Sequence, residues 1–202
     1  MFFDPIYAIK DNAIEPDLCE YILKNKDNFG MKENDDWQEA MVGDYEVDYG
    51  DRDSSVKWIP STHWITSILA VEAARCNVEY WNFRITANED TQFTKYLKGQ
   101  HHAWHCDERP KHTDDVVRKL TLTLQLSKPD DYEGGDLEFR PPDLMSPDFV
   151  GDGLDIRPED RESMRQQGTM IIFPSVFTHR ITEITKGERY SFVSWANGPN
   201  YI

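Results

Sequence analysis

Hydrophobic and polar positions change rhythm once along this chain, near residue 80. Before that point two stretches carry helical spacing. Pro16-Asp17-Leu18 opens one that runs through Cys19, Tyr21, Ile22 and Leu23 and closes at Asn28-Phe29-Gly30. A proline in the first turn costs no hydrogen bond, and the acid beside it faces the positive end of the helix dipole. The second follows Ser61 and Thr62, either of which can cap it, and passes through Trp64, Ile65, Ile68, Leu69, Val71 and Ala74. Residues 31–59 between them are acidic and aromatic without a clear period, and read as loop with one strand.

From about residue 80 short β-like runs alternate with turn signals. They are Tyr80–Thr86, Thr91–Leu97, Gln100–Asp107, Lys119–Ser127, Gly135–Arg140, Thr169–Phe173, Thr178–Thr185 and Arg189–Trp195. Strands behind a helical preface predict a mainly β (α+β) sandwich or jelly roll with the N-terminal helices packed on one sheet. Residues 1–79 then form a helical support region and 80–202 the core of one integrated domain. In the run Lys119–Ser127, Leu120, Leu122, Leu124 and Leu126 share one face, and Thr121, Thr123 and Gln125 the other. The leucine face packs on a partner layer; the polar face either lines a cavity or meets solvent. Residues 141–167 break the rhythm with Pro141, Pro142, Pro147, Pro158 and Gly151-Asp152-Gly153 among mixed charges. A stretch of that length reads as a lid or insert loop.

Composition narrows the partners. The 202 residues carry 22 Lys plus Arg against 37 Asp plus Glu, a formal charge of −15. Tracking a nucleic-acid backbone or an anionic membrane surface needs a basic face, so both are excluded as partners. A basic protein or peptide would be steered toward such a field. No apolar run approaches a membrane span, and the acid at Asp4 and the missing basic n-region lead to the expectation that this N-terminus is not a signal peptide. Cys19, Cys76 and Cys106 are odd in number and far apart, as expected of reduced thiols in the cytoplasm.

The candidate chemistry begins at Trp104-His105-Cys106-Asp107. In a strand, His105 and Asp107 point to one side. Two ligands do not close a metal site, and the best third is His179, in a late β-run after Phe173-Pro174-Ser175. Two histidines and a carboxylate form the facial triad of non-haem Fe(II), with the remaining positions open. Ten residues beyond His179, across Thr185-Lys186-Gly187-Glu188, stands Arg189, which places the two on adjacent antiparallel strands. Arg189, Ser191, Val193 and Trp195 share a face by alternation. An arginine buried there needs an anion, and a ligand carboxylate held bidentately, with the Ser191 hydroxyl helping, supplies one. By the same alternation His101 shares the face of His105. Cys106 points away from it, and Trp58, Trp64, Trp81 and Trp104 read as core.

In order, Tyr96-x-x-Gly99-x-x-His102-x-x-His105-x-Asp107, Gly134-Gly135-x-Leu137 and Phe173-Pro174-Ser175…His179…Gly187-x-Arg189-x-Ser191…Trp195 resemble the prolyl 4-hydroxylase-like, PKHD-type branch of the 2-oxoglutarate/Fe(II)-dependent dioxygenases. The resemblance covers roughly residues 90–198. It implies a double-stranded β-helix in which His105, Asp107 and His179 bind Fe(II) and Arg189, assisted by Ser191, pairs with the distal carboxylate of 2-oxoglutarate. It sets Tyr96 near the cosubstrate or the target residue, with Thr121 and Gln125 on the cosubstrate side of the leucine strand. Trp195 and Arg118 fall where relatives meet substrate. His102 and Gln125 depart from the pattern, where members often carry tyrosine. The implied reaction takes O2, with ascorbate as reductant, and hydroxylates a prolyl residue in a protein or peptide as 2-oxoglutarate becomes succinate and CO2. The alternatives are the same chemistry on a free amino acid or small metabolite, and a cupin-like metal-binding module without catalysis.

Overall fold

The computed structural model describes residues 4–29, 36–41, 48–108, 116–140 and 153–200. Two antiparallel sheets face each other as a jelly roll. The larger has the strand order β1-β11-β8-β14-β6-β4-β2, with β5 also on β14. Its strands are β1 (Ala8–Lys10), β2 (Gln38–Glu39), β4 (Ser55–Ile59), β5 (Ala87–Asn88), β6 (Thr91–Tyr96), β8 (Val116–Gln125), β11 (Met170–Pro174) and β14 (Arg189–Pro199). The smaller runs β10-β12-β7-β3, from β3 (Arg52–Asp53), β7 (His101–His105), β10 (Leu137–Phe139) and β12 (His179–Ile181). A two-stranded ribbon joins β9 (Tyr132–Gly134) to β13 (Ile184–Gly187).

Helices α1 (Pro16–Lys24) and α2 (Trp64–Cys76) cover the outer face of the larger sheet. Cys19 and Ile22 of α1, and Ile65, Leu69 and Ala73 of α2, join Leu120, Leu122, Leu124 and Leu126 in one buried cluster. Helical and strand periods thus present their apolar faces to each other, the arrangement expected of the leucine strand. The cap of α2 is neither Ser61 nor Thr62: His63 is the N-cap, and its Nδ1 accepts from the Ile65 amide.

Four expectations about elements change. Tyr80–Thr86 is not a strand, because α2 continues into a wider π-helical turn (Asn77–Trp81) that Asn82 ends with φ of 55°. The Asn77 amide side chain then both accepts from the Phe83 amide and donates to its carbonyl, taking groups a sheet would need. Residues 36–41 and 48–59 hold β2, β3 and β4 rather than one strand, and with β1 they place strands from before residue 80 in both sheets. Of the stretch read as lid or insert loop, 141–152 lies outside the described residues, while 158–165 forms helix α3 (Pro158–Arg165). Its Arg165 donates to the Gly134 and Tyr132 carbonyls and pairs with Asp136 at 2.6 Å.

His179 and Arg189 are not on neighbouring strands. The chain leaves the smaller sheet after Ile181, and the segment read as a polar turn is β13, paired with β9, which carries it to the larger sheet. The two side chains therefore face each other across the sandwich. Between the sheets, Phe139, Phe173, Phe177, Ile171 and Ile184 fill the side under β10 and β11. Toward β14, β6 and β4 the interior stays open as a cavity of about 300 Å³.

Candidate active site

At the bottom of this cavity three side chains converge. His105 ends β7, His179 begins β12 directly opposite it in the ladder, and Asp107 lies two residues beyond β7. The turn after β11 holds that last segment: the Ser175 carbonyl accepts from the Asp107 and Glu108 amides. His105 Nε2 stands 3.6 Å from Asp107 Oδ1, and His179 Nε2 stands 3.5 Å from Oδ2. One donor atom from each of the three lies within 4.8 Å of the others.

Hydrogen bonds behind these groups set their orientation. His105 Nδ1 donates to the Ala103 carbonyl at 2.8 Å, and His179 Nδ1 to the Phe177 carbonyl at 3.0 Å. A carbonyl only accepts, so each ring carries a proton on Nδ1 and turns Nε2 inward. Asp107 Oδ2 accepts from the Thr121 hydroxyl at 2.8 Å and from the Trp195 indole at 3.0 Å. Burial, reinforced by His179, pushes the His105 imidazole down to about 3, so it is neutral near pH 7. Burial alone would raise the Asp107 carboxyl. The pull of His179, His105 and Arg118, with the Trp195 hydrogen bond, outweighs it and holds the group well below its usual range. Two imidazoles with Nε2 turned inward beside an ionised carboxylate are the donor set that a divalent first-row metal takes.

The ring of His102 stacks on His105. This overturns the expectation that His101 shares the His105 side. His179 opposes His105 and Ile181 opposes His102, so four residues of β7 (102–105) face three of β12 (179–181). That extra residue is a bulge, and it resets the alternation. His102 lines the cavity, while His101 reaches the Gly50 carbonyl.

Arg189, Ser191, Val193 and Trp195 all line the cavity, as alternation along β14 requires. Arg189 is 4% exposed. Its Nη1 donates to Ser191 Oγ at 3.3 Å, its Nε has no acceptor among the described residues, and its guanidinium lies 5.8 Å from the centre of the Tyr96 ring. No carboxylate pairs with it among the described residues. Gly135 makes room behind it: a Cβ there would stand 2.4 Å from Ile184 Cδ1 and 3.0 Å from Arg189 Cδ. A buried guanidinium held only by a hydroxyl fits an incoming carboxylate.

The remaining sequence candidates have these places. Thr121 lines the cavity, but its hydroxyl is taken by Asp107 and Ser175. Gln125 is outside the main cavity, in a small pocket behind Arg189, where its amide donates to the Tyr132 hydroxyl at 3.1 Å. Trp195 borders the cavity while holding Asp107. Arg118 lies 3.8 Å from the Trp195 ring centre and makes a two-pronged pair with Glu89, at 3.0 and 2.7 Å. Trp58 and Trp64, read as core, are 41% and 44% exposed, and Trp58 lines the cavity mouth. Sequence reasoning passed over Arg52 and Gln92, which also line it. Arg52 sits between Asp51 and Asp53 in a stretch that reads as solvated loop, so nothing local marked it.

Among the described residues no helix is long and apolar enough to cross a membrane. A family model described as the 2OG-Fe(II) oxygenase superfamily matches residues 91–197. A PKHD-type hydroxylase of Alteromonas mediterranea is 30% identical over 107 residues, 51% of this chain and 41% of the relative. One from Idiomarina loihiensis is 28% identical over 122 residues, 58% of this chain and 45% of the relative. The match therefore spans less than half the length of these relatives. Among solved structures, a Pseudomonas putida prolyl-4-hydroxylase superposes with a TM-score of 0.65 at 18% identity, covering 96% of this chain and 93% of the other. A Trichoplax adhaerens prolyl hydroxylase, in complex with a hypoxia inducible factor peptide fragment, superposes at 0.69 with 16% identity, covering 96% and 84%.

Proposed function

Because the chain belongs to the 2OG-Fe(II) oxygenase superfamily and is similar to PKHD-type hydroxylases, we propose that it hydroxylates a prolyl residue in a protein or peptide. The observation that carries this reading is the convergence of His105, Asp107 and His179 within 4.8 Å, in one cavity with a buried Arg189 that has no carboxylate partner among the described residues.

The residues divide the work as follows. His105 Nε2, His179 Nε2 and Asp107 hold the metal, and the Ala103, Phe177, Thr121 and Trp195 contacts keep them aimed before it arrives. Arg189 and Ser191 take the distal carboxylate of 2-oxoglutarate, and charge with length selects a five-carbon diacid. Phe173, Leu137, Ile181 and Val193 wall the cavity with apolar surface and keep water from the reacting carbon. Trp195 and the half-exposed Trp58, ring centres 6.4 Å apart, offer flat surface to a prolyl ring at the mouth. With Fe(II), 2-oxoglutarate and O2 bound, the chemistry supplied is decarboxylation to succinate and CO2 coupled to insertion of one oxygen atom into a C–H bond. Ascorbate is proposed as the external reductant.

The test is incubation of the protein with Fe(II), 2-oxoglutarate, O2 and a set of prolyl peptides. The reading expects a peptide to gain one oxygen atom for each succinate formed. Succinate formation that no peptide stimulates, but a free amino acid does, would replace it with the metabolite reading.

A further inference from the structure

Three arginines line the cavity, and their partners differ. Arg118 carries Glu89. Arg189 awaits the cosubstrate. Arg52 is also buried, at 9% exposed, and no carboxylate pairs with it among the described residues. Its Nε donates to Ser54 Oγ at 3.0 Å, and its Nη2 donates to Gln92 Oε1 at 3.1 Å, across the sandwich from β3 to β6. Both acceptors are neutral. No hydrogen bond from its Nη1 is formed among the described residues. Arg165 and Arg180, also partly buried, are paired with Asp136 and Glu138. Glu39, the acid on the same cavity wall, accepts from the Tyr49 hydroxyl at the exposed edge.

On the oxygenase reading, Arg189 and Ser191 take the distal carboxylate of 2-oxoglutarate and its 2-keto acid end goes to the metal ligands, which leaves Arg52 to a different anion. Arg52 is bound to Gln92, and the surroundings of Gln92 indicate what bears that anion. Gln92 is opposite Trp58 in the ladder, and Trp58 with Trp195 forms the aromatic side of the mouth. The subsite joins a charge-assisted donor to a flat apolar surface.

We propose that Arg52, oriented by Gln92 and Ser54, is a specificity residue that binds a carboxylate of the substrate while its apolar ring rests on Trp58. The carboxylate is either that of a free cyclic amino acid or an acidic side chain next to the target residue in a peptide. Although the chain carries a formal charge of −15, Arg52 places a cation at the substrate end of the cavity that would select for an acid. This deepens, and rests on, the oxygenase reading of the cavity.

The test uses the full chain loaded with Mn(II) and saturating 2-oxoglutarate, and reads the relaxation of probe protons by the metal. The probes are matched pairs: N-acetyl-L-proline with its methylamide, and N-acetyl-Glu-Pro-methylamide with its Gln counterpart. The inference expects at least one acid to bind roughly tenfold more tightly than its neutral partner. Arg52→Met abolishes that difference, and Arg52→Lys keeps part of it. Preference confined to N-acetyl-proline identifies a free acid, and preference confined to the Glu peptide an acidic peptide. Equal binding by acid and neutral partner overturns the inference, as does no binding by either acid while 2-oxoglutarate protons are relaxed. The wild-type comparison decides even if Arg52→Met does not fold. Absence of 2-oxoglutarate relaxation in a manganese-loaded protein counts instead against the oxygenase reading.

Discussion

The imidazole of His102 lies flat on that of His105, with ring centres 3.5 Å apart and planes 16° from parallel. The bulge in β7 makes this contact, and with the Ala103 carbonyl it leaves the His105 ring little freedom to turn. Loss of the stack should therefore weaken metal binding without removing a ligand. His102→Ala is expected to lower affinity for Mn(II) or Co(II) roughly tenfold, while His102→Tyr, which restores a ring, stays near wild type. Competition against a metal-sensitive dye measures both. Equal affinities for the alanine and wild-type proteins would show that the stack has no orienting role.

Asp107 depends on two donors from the larger sheet. Trp195→Phe removes the indole N–H and keeps an aromatic ring; Thr121→Val removes the hydroxyl at similar volume. Each is expected to reduce metal affinity by about 10- to 100-fold, with circular dichroism unchanged. The Trp195 variant should lose affinity for substrate as well, since its ring also borders the cavity.

Gly135 has φ of 67° and no room for a side chain between Ile184 and Arg189. Gly135→Ala is expected to destabilise the protein by about 1–3 kcal/mol in urea unfolding. Because one of the atoms displaced is Arg189 Cδ, its 2-oxoglutarate affinity should also fall. A destabilised variant with unaltered cosubstrate binding would separate the glycine from the site.

Arg165 ties α3 to the turn around Gly134 through two carbonyls, Asp136 and the face of Tyr132, 4.3 Å from its guanidinium carbon. Arg165→Met leaves those partly buried acceptors unmatched, and a loss of about 1–3 kcal/mol is expected. Hydrogen exchange should rise first in α3 and the β9–β13 ribbon, with β8 and β14 still protected.

What could be read in the sequence follows from how local each cause is. The alternation 189-191-193-195 survives in β14 because that strand is central and long and its register is unbroken as far as Ala196, so period two alone assigns the faces of that stretch. The leucine face of β8 was equally legible. The spacing His105-x-Asp107 with a distant His179 brought attention to residues that the fold does draw together. Alternation failed at His101 and His102 because a bulge depends on the partner strand, β12, seventy-odd residues away. Adjacency of His179 and Arg189 failed because β13 pairs with β9, a choice made by long-range pairing and not by turn composition. The strand expected at Tyr80–Thr86 failed because the Asn77 side chain captures the Phe83 backbone. Arg52 was invisible because its place in the cavity is set by Gln92, forty residues on.

The account stands on one cavity holding both a metal and a diacid. Adding Fe(II) and then 2-oxoglutarate to the protein without oxygen should produce the weak visible band of a metal-bound 2-keto acid, and admitting O2 should bleach it as succinate appears. His179→Ala should abolish the band at the metal step and Arg189→Ala at the cosubstrate step, each in a folded protein. A wild-type protein that binds iron yet shows neither band nor succinate would contradict the account.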